Sequence, residues 1–451
     1  MEIIEFKNRV FKSADEKGLK EYEIFYSRSD NFGVTVYKTE IDKYSLSCTM
    51  GVGFRALING KMGYAYTEKL DEDGVDFLIH GVIDSAHNID NEEKQFIYNE
   101  VSDYIKINKL KEEEASSYTE EKIKLALNLE AQVMASGNKV VNIGYCGIGC
   151  STEERGIFNS YGVNVSDRSS FVYAAVTPVV SDEGKLYNET SYVMANSIKD
   201  IDAIKLAAEA VSEAESRIGG DTVKSGKYKV VLRNDVAAEL LKTFSGAFCA
   251  DNVQKGLSLL KGKEDSIIAS EKITLVDNPL LKDAAASTSF DGEGVPTYEK
   301  AVIEQGTLKL FLHNLKTAAI DGVKSTGNAS RASYSSPIGI SPTNFYFTSG
   351  KQSLEQMIQY VGEGIMITDI AGTHAGANAI TGDFSLAAKG FVISAGKLGR
   401  PVEQITIAAN YYDVLNNVLE VGSDLKFILP SSLGCFGSPS MVIGEMSIAG
   451  K

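Results

Sequence analysis

Histidine is the scarcest chemistry-bearing residue in this sequence: His80, His87, His313 and His374 are the only four among 451 residues. Metal-assisted peptide hydrolysis commonly places two histidines about one helical turn apart, with a glutamate beside the first to activate the metal-bound water. None of the four is followed by glutamate. His80 and His87 share one predicted helical face but stand two turns apart, which suits a solvated or core-edge position better than a metal pair. His313 ends a predicted strand and His374 lies in a glycine-rich loop, neither with a local acid–base companion. Cys146 and Cys150 lie on one side of a predicted strand about 13 Å apart, too far for a disulfide or a shared metal, and read as a core pair. With Cys48, Cys249 and Cys435 they make an odd, scattered set of five, read as free buried thiols. Serine-hydrolase signatures of the Gly-x-Ser-x-Gly type do not occur.

One stretch is denser in unusual residues, the run from Asp369 to Ser385. Its glycines and alanines let backbones approach closely, and Thr373, His374, Asn378 and Asp383 could hydrogen-bond an extended peptide or one another. A tight loop between two buried strands is the plainer reading of the same residues.

Elements that would position these groups follow from periodicity. Ile3, Phe6, Val10, Phe11 and Ala14 predict a helix that stops at Gly18. Strand-like segments come next at 22–26, 32–38, 44–50, 53–57 and 62–66, with Asn59-Gly60 as a hairpin turn, and then a helix over 71–88. The order recurs. Ser117 and Glu120 have capping-box spacing before a helix to about Ser136, strands are predicted at 140–149, 156–159, 163–166, 170–180 and 191–194, and a helix over 200–218 closes the block. Beyond Gly219-Gly220 a strand at 228–232 feeds a helix from Asn234, and the remainder is mainly β with short helices at 314–321, 353–361 and 411–418. Alternating strands with parallel crossovers are absent from this reading. The expected architecture is α+β: two helix–antiparallel meander–helix units at 1–90 and 117–218, a charged linker at 91–116, and a β-rich domain at 219–451.

The composition is that of a globular protein, 43% hydrophobic and 23% charged, with a formal net charge of −15. That excess of acid argues against direct nucleic-acid binding, which needs a basic face. With no apolar run of eighteen residues and no signal-peptide pattern, the expectation is a cytoplasmic protein that does not enter a membrane.

The glycine-rich run carries a resemblance. Gly372-Thr373-His374-Ala375-Gly376-Ala377-Asn378, then Thr381 to Ser385, Ala388, Gly390, Phe391, Ile393, Gly396 and Pro401 to Ala408, resemble the C-terminal domain of the TldD/PmbA family, once called modulators of DNA gyrase. Asp291 to Thr297, Ser325 to Asn328 and Met446 to Gly450 add to it. The resemblance implies an intracellular peptidase system of two related subunits acting on extended or unfolded peptides. The TldD type carries His-Glu-x-x-x-His on the first helix of that domain to hold zinc. Here the matching positions are Lys242, Thr243 and Ala247. An ammonium replaces a metal-binding lone pair, alanine offers no ligand, and threonine cannot take a proton from water at neutral pH. The chain therefore resembles the TldE/PmbA side, with no catalytic or metal residue of its own and zinc expected in a TldD-like partner. Without that partner it would be inactive. The implied partners are the catalytic subunit in a heterodimer, an extended peptide, and a second copy when the chain is alone. A client-binding or regulatory module acting without a peptidase is the alternative.

Overall fold

The computed structural model describes residues 1–89, 93–100, 102–107, 118–282 and 284–451. Two compact units emerge: Met1–Ala214 with Thr288–Thr297 and His313–Ile340, and Glu215–Ser287 with Tyr298–Leu312 and Ser341–Lys451.

In the first unit, α1 (Ile3–Glu16) buries Phe6, Val10 and Ala14, spaced four apart on one stripe. It ends as the sequence predicts. Gly18 adopts φ +77°, and the amides of Gly18 and Leu19 close back on the carbonyls of Asp15 and Ala14, a Schellman ending. Strands β1 (Glu21–Tyr37), β2 (Glu40–Ile58) and β3 (Lys61–Thr67) form a meander, with Asn59 and Gly60 both at positive φ in the turn between β2 and β3. Helix α2 (Glu72–Asn88) starts at Asp71, whose carboxylate accepts from the Gly74 amide at 2.9 Å. Helix α3 (Thr119–Ala135) precedes β4 (Val140–Asn159), β5 (Asn164–Asp182), β6 (Lys185–Asn188) and β7 (Ser191–Ala195), and α4 (Ala203–Glu215) closes the block. Ser117 and residues 91–92, 101 and 108–116 of the linker lie outside the described residues; α3 is preceded by Tyr118 at φ 53°.

The two meanders share one antiparallel sheet in the order β3-β2-β1-β4-β5-β6, with β7 also on β5. Segments expected as separate strands are continuous: 22–26 and 32–38 both lie in β1, 44–50 and 53–57 in β2, 140–149 and 156–159 in β4, and 163–166 and 170–180 in the neighbourhood of β5. The polar interruptions that suggested breaks lie side by side in register. Arg28 is opposite Glu154, Glu154 is opposite Arg168, and Arg155 is opposite Asp167, so opposite charges are paired across neighbouring strands where apolar residues stop. One face of β1–β3 is sealed by α1 and α2 through Phe6, Val10, Leu78, Ile79 and Val82 against Ile24, Phe54 and Ala56.

In the second unit, β8 (Gly226–Leu232) lies between the strands Gly364–Ala371 and Met441–Ala449. The strands Asp383–Ser394 and Lys397–Asn410 extend the sheet, and Lys397–Asn410 returns to pair with Met441–Ala449, closing a five-stranded ring. A second sheet runs through Leu275–Asp277, Lys300–Glu304, Asn344–Phe347 and Cys435–Ser438. Among the described strands two pairings are parallel, β8 with Gly364–Ala371 and Asn344–Phe347 with Cys435–Ser438. The sequence reading had no parallel pairs, because the partners are far apart along the chain and no single crossover helix marks them. The α+β class stands. Helix α5 (Asn234–Phe244) buries Val236, Ala237, Leu240, Leu241 and Phe244. Asn234 is its first residue, and its side-chain amide donates to the Asp424 carbonyl at 2.9 Å. Four of the cysteines are buried as expected, but Cys48 is exposed because the outer part of β2 has no covering layer. Among the described residues no helix is long and apolar enough to cross a membrane.

Gly63 on β3 marks the closest approach of sheet and helix, since a Cβ there would fall 1.9 Å from the Val82 carbonyl oxygen of α2. Gly63→Ala should lower unfolding free energy by about 1–3 kcal/mol, as over-packing does. Gly339→Ala, with nothing within 4 Å of the added carbon, should stay within about 0.5 kcal/mol. Urea titration of both variants distinguishes this close packing from a general intolerance of glycine loss.

Candidate functional site

Lys242, Thr243 and Ala247, and the four residues expected to line a peptide, fall in the second unit. Lys242 and Thr243 occupy the last turn of α5, and Ala247 the 3₁₀ turn that follows. Lys242 Nζ is held by both carboxylate oxygens of Glu239, at 3.1 and 3.2 Å. Thr243 Oγ1 donates to the Glu239 carbonyl at 2.8 Å, and Ala247 is buried. This donor set does not fit zinc: an engaged ammonium, a hydroxyl bonded back to its own helix and a methyl group supply no imidazole, thiolate or free carboxylate. Among the described residues no group of three or more His, Cys, Asp or Glu is placed to hold a metal ion.

Thr373 and His374 lie on the single helical turn Thr373–Gly376, with His374 exposed. Asn378 and Asp383 shape the loop itself. Asn378 Oδ1 accepts from the amides of Ile380 and Thr381 at 3.0 and 3.2 Å, and its backbone amide donates to the Asp383 carbonyl at 2.8 Å. Asp383 accepts from Asn410 Nδ2 at 3.0 Å, and that bond, followed by one from Thr381, holds its carboxyl below the usual range. Between two antiparallel strands, the run is a turn in which Asn378 and Asp383 bond each other and their neighbours. His80 and His87 are exposed on α2; His313 is buried with Nδ1 3.3 Å from Thr317 Oγ1.

A concentration of buried charge lies instead in the first unit. Glu23 on β1 and Arg55 on β2 face each other across the sheet, 0% and 3% exposed. Arg55 Nε and Nη2 donate to the two Glu23 oxygens at 2.9 and 3.2 Å, a two-pronged pair. Arg331 also donates to Glu23, and its guanidinium lies 4.7 Å from the Phe25 ring centre. Glu293 stands 3.8 Å from Arg55 Nη1 and accepts from the Leu315 amide at 2.8 Å. Asp291 takes the amides of Glu293, Val295 and Ala329 at 2.8, 3.0 and 2.9 Å, fixing the turn that carries Glu293. Above the cluster opens a cavity of about 410 Å³, lined by Arg55, Tyr64, Glu293, Asn314, Lys316 and Arg331 among others. Sequence reading passed over Glu23, Arg55 and Arg331. The available signal was a lone charge inside each of two apolar strand segments, Tyr22-Glu23-Ile24-Phe25 and Phe54-Arg55-Ala56-Leu57.

Burial raises the Glu293 carboxyl well above the ordinary range; Arg55 opposes this and the neighbouring Asp291 charge adds to it. Asp291 is raised by burial as well, against its three amide donors. A carboxyl whose folded value lies above its unfolded value keeps its proton in the native state when the unfolded chain has lost it. Its contribution to stability is therefore complete below the unfolded value of 4.5 and is lost as pH rises through the raised one. Glu293→Gln mimics the protonated form. The variant should match the parent near pH 5 and gain on it by on the order of 1 kcal/mol or more by pH 8. Thermal melts across that interval check this, and a constant difference between the two proteins would contradict it.

Comparison with known proteins agrees with the fold and with the motif in the second unit. Three domain profiles match in order: PmbA/TldA metallopeptidase domain 1 over 22–86, the central domain over 112–218 and the C-terminal domain over 225–450. An uncharacterised protein of Methanocaldococcus jannaschii is 30% identical over 437 residues, 94% of this chain and 97% of that protein. Metalloprotease PmbA of Escherichia coli O157:H7 is 29% identical over 343 residues, 74% of this chain and 70% of that protein. The crystal structure of a candidate modulator of a DNA gyrase from Thermotoga maritima superposes with a TM-score of 0.91 at 30% identity, covering 99% of both chains. The chain belongs to the PmbA/TldD family of metallopeptidase-like proteins.

Proposed function

We propose that this chain is the non-catalytic, TldE/PmbA-like subunit of a cytoplasmic zinc-dependent peptidase assembly that processes extended peptides. One observation carries the reading. The turn at the end of α5, where the family's His-Glu-x-x-x-His would fall, offers Lys242 paired to Glu239, Thr243 bonded to its own helix, and Ala247. No histidine in the sequence is followed by glutamate. A TldD-like partner would supply metal, general base and bond cleavage, while this chain completes the chamber in which the peptide lies. Thr373, His374, Asn378 and Asp383 are the proposed lining groups. Because Asn378 and Asp383 spend their oxygens on the loop, the exposed His374 is the better placed of the four to meet a peptide.

The test is to purify the chain alone and together with a His-Glu-x-x-x-His paralogue from the same cell, and to measure bound zinc and cleavage of an unfolded peptide. Alone, the chain should hold substoichiometric zinc and cleave nothing; the mixture should cleave and lose that activity to a chelator. Stoichiometric zinc with cleavage by the chain alone would overturn the reading. Co-purification with a client and no metallopeptidase would favour a regulatory role instead.

A further inference from the structure

The cavity over the Glu23 cluster has features that an ion network serving only to hold strands together does not require. Its volume of about 410 Å³ is that of a small-molecule site. Arg55 and Arg331 line it with side chains only 4% and 1% exposed. Both guanidiniums converge on one carboxylate, Glu23. The second carboxylate, Glu293, lies 3.8 Å from Arg55 Nη1, beyond hydrogen-bond distance. Arg331 Nε is buried without a hydrogen-bond partner, an arrangement native structures rarely leave unanswered. Asn314, Ser335 and Ser336 add neutral polar groups to the wall, Ile338 adds apolar surface, and Lys316 stands at the rim against Glu93.

We propose that this cavity binds a single carboxylate, carried on a ligand of amino-acid to dipeptide size and received by Arg55 and Arg331. The flat guanidinium fork matches a carboxylate in shape. Charge selects a monoanion. Two arginines share Glu23, Lys316 is matched at the rim by Glu93, and Glu293 faces the same space. At most about one positive charge is left over, so inorganic phosphate, with roughly −1.5 to −2, would overshoot it and confront Glu293. The carboxylate could be a peptide's free C-terminus or an acidic side chain. The choice of peptides as probes rests on the peptide-processing reading; binding by the chain alone needs neither partner nor cleavage, so the two readings fail separately.

Calorimetric titration of the full chain tests it with N-acetyl-dialanine bearing a free carboxylate, the same compound as its amide, and N-acetyl-glutamate with its α-carboxyl amidated. At least one carboxylate probe should bind, at least tenfold more tightly than the amide, and whichever does so identifies the source. Equimolar inorganic phosphate should not displace it. Arg331→Lys, which keeps the charge and loses the fork, should weaken binding at least tenfold. If that variant fails to fold, Lys316→Ala at the half-open rim decides, with about a threefold loss expected. Equal binding of amide and acid, no binding of either carboxylate, displacement by phosphate, or unchanged affinity in the folded variants would overturn the proposal.

Discussion

Burying a carboxylate in the middle of an apolar strand costs several kcal/mol unless its charge is met at close range, and Glu23 is wholly buried in β1. The cost is offset by two guanidiniums, Arg55 from the neighbouring strand and Arg331 from a segment more than 270 residues further along the chain. That single requirement ties the first meander to the segment His313–Ile340. The remaining contacts follow the same constraint: Tyr334 accepts at its carbonyl from the Tyr64 hydroxyl and donates its amide to Ser27 at 3.0 Å. Gly51 and Gly53 admit this packing, since a Cβ at either would strike Tyr334. Removing Glu23 would leave two buried arginines without their shared partner, a larger loss than removing both members of an exposed pair.

The second unit is held by a different device. Its ring of five strands leaves few unpaired edges, and α5 packs its apolar side against Gly364–Ala371 of that ring and Cys435–Ser438 of the second sheet. Leu240, Leu241 and Phe244 fix the helix, and Phe244 stacks on Tyr411 with ring centres 4.5 Å apart. Lys242, Thr243 and Ala247 contribute little to that packing beyond one buried methyl. The positions that would do chemistry are therefore separable from those that hold the fold.

How far the sequence could be read follows from the range of the interactions. Helix ends were legible because they are local: Gly18, Asp71, Asn314 and Ser353 each act within a few residues, the last two in full capping boxes. The hairpin at Asn59-Gly60 is local in the same way. Strand continuity was not, because the polar bands in β1, β4 and β5 look like breaks until they are seen in register. The parallel pairs are not legible either, because their partners lie about 90 to 135 residues apart along the chain. Loop chemistry around Asn378 is local, as the helix ends are, its side chain closing on the amides of Ile380 and Thr381. The arginine–glutamate cavity is not visible in the sequence as a site, since its parts are scattered from Glu23 to Arg331 and only Asp291 to Thr297 stands out, as a motif and not as a wall.

The cavity also shows why compact units and consecutive stretches of sequence need not coincide. Thr288–Thr297 and His313–Ile340 belong by position to the β-rich half, yet they fold into the first unit and supply Asp291, Glu293, Asn314 and Arg331. Phe290 and Val295 anchor the first of these segments in a core with Phe25, Ile157 and Val163. Residues 1–214 alone would contain Glu23 and Arg55 but lack Glu293 and Arg331, leaving one strand pair and no enclosed pocket. A change in either half thus reaches the same cluster. Substitutions at Glu23 and Arg331 are expected to be strongly non-additive, because each removes the other's partner and neither contributes an independent energy.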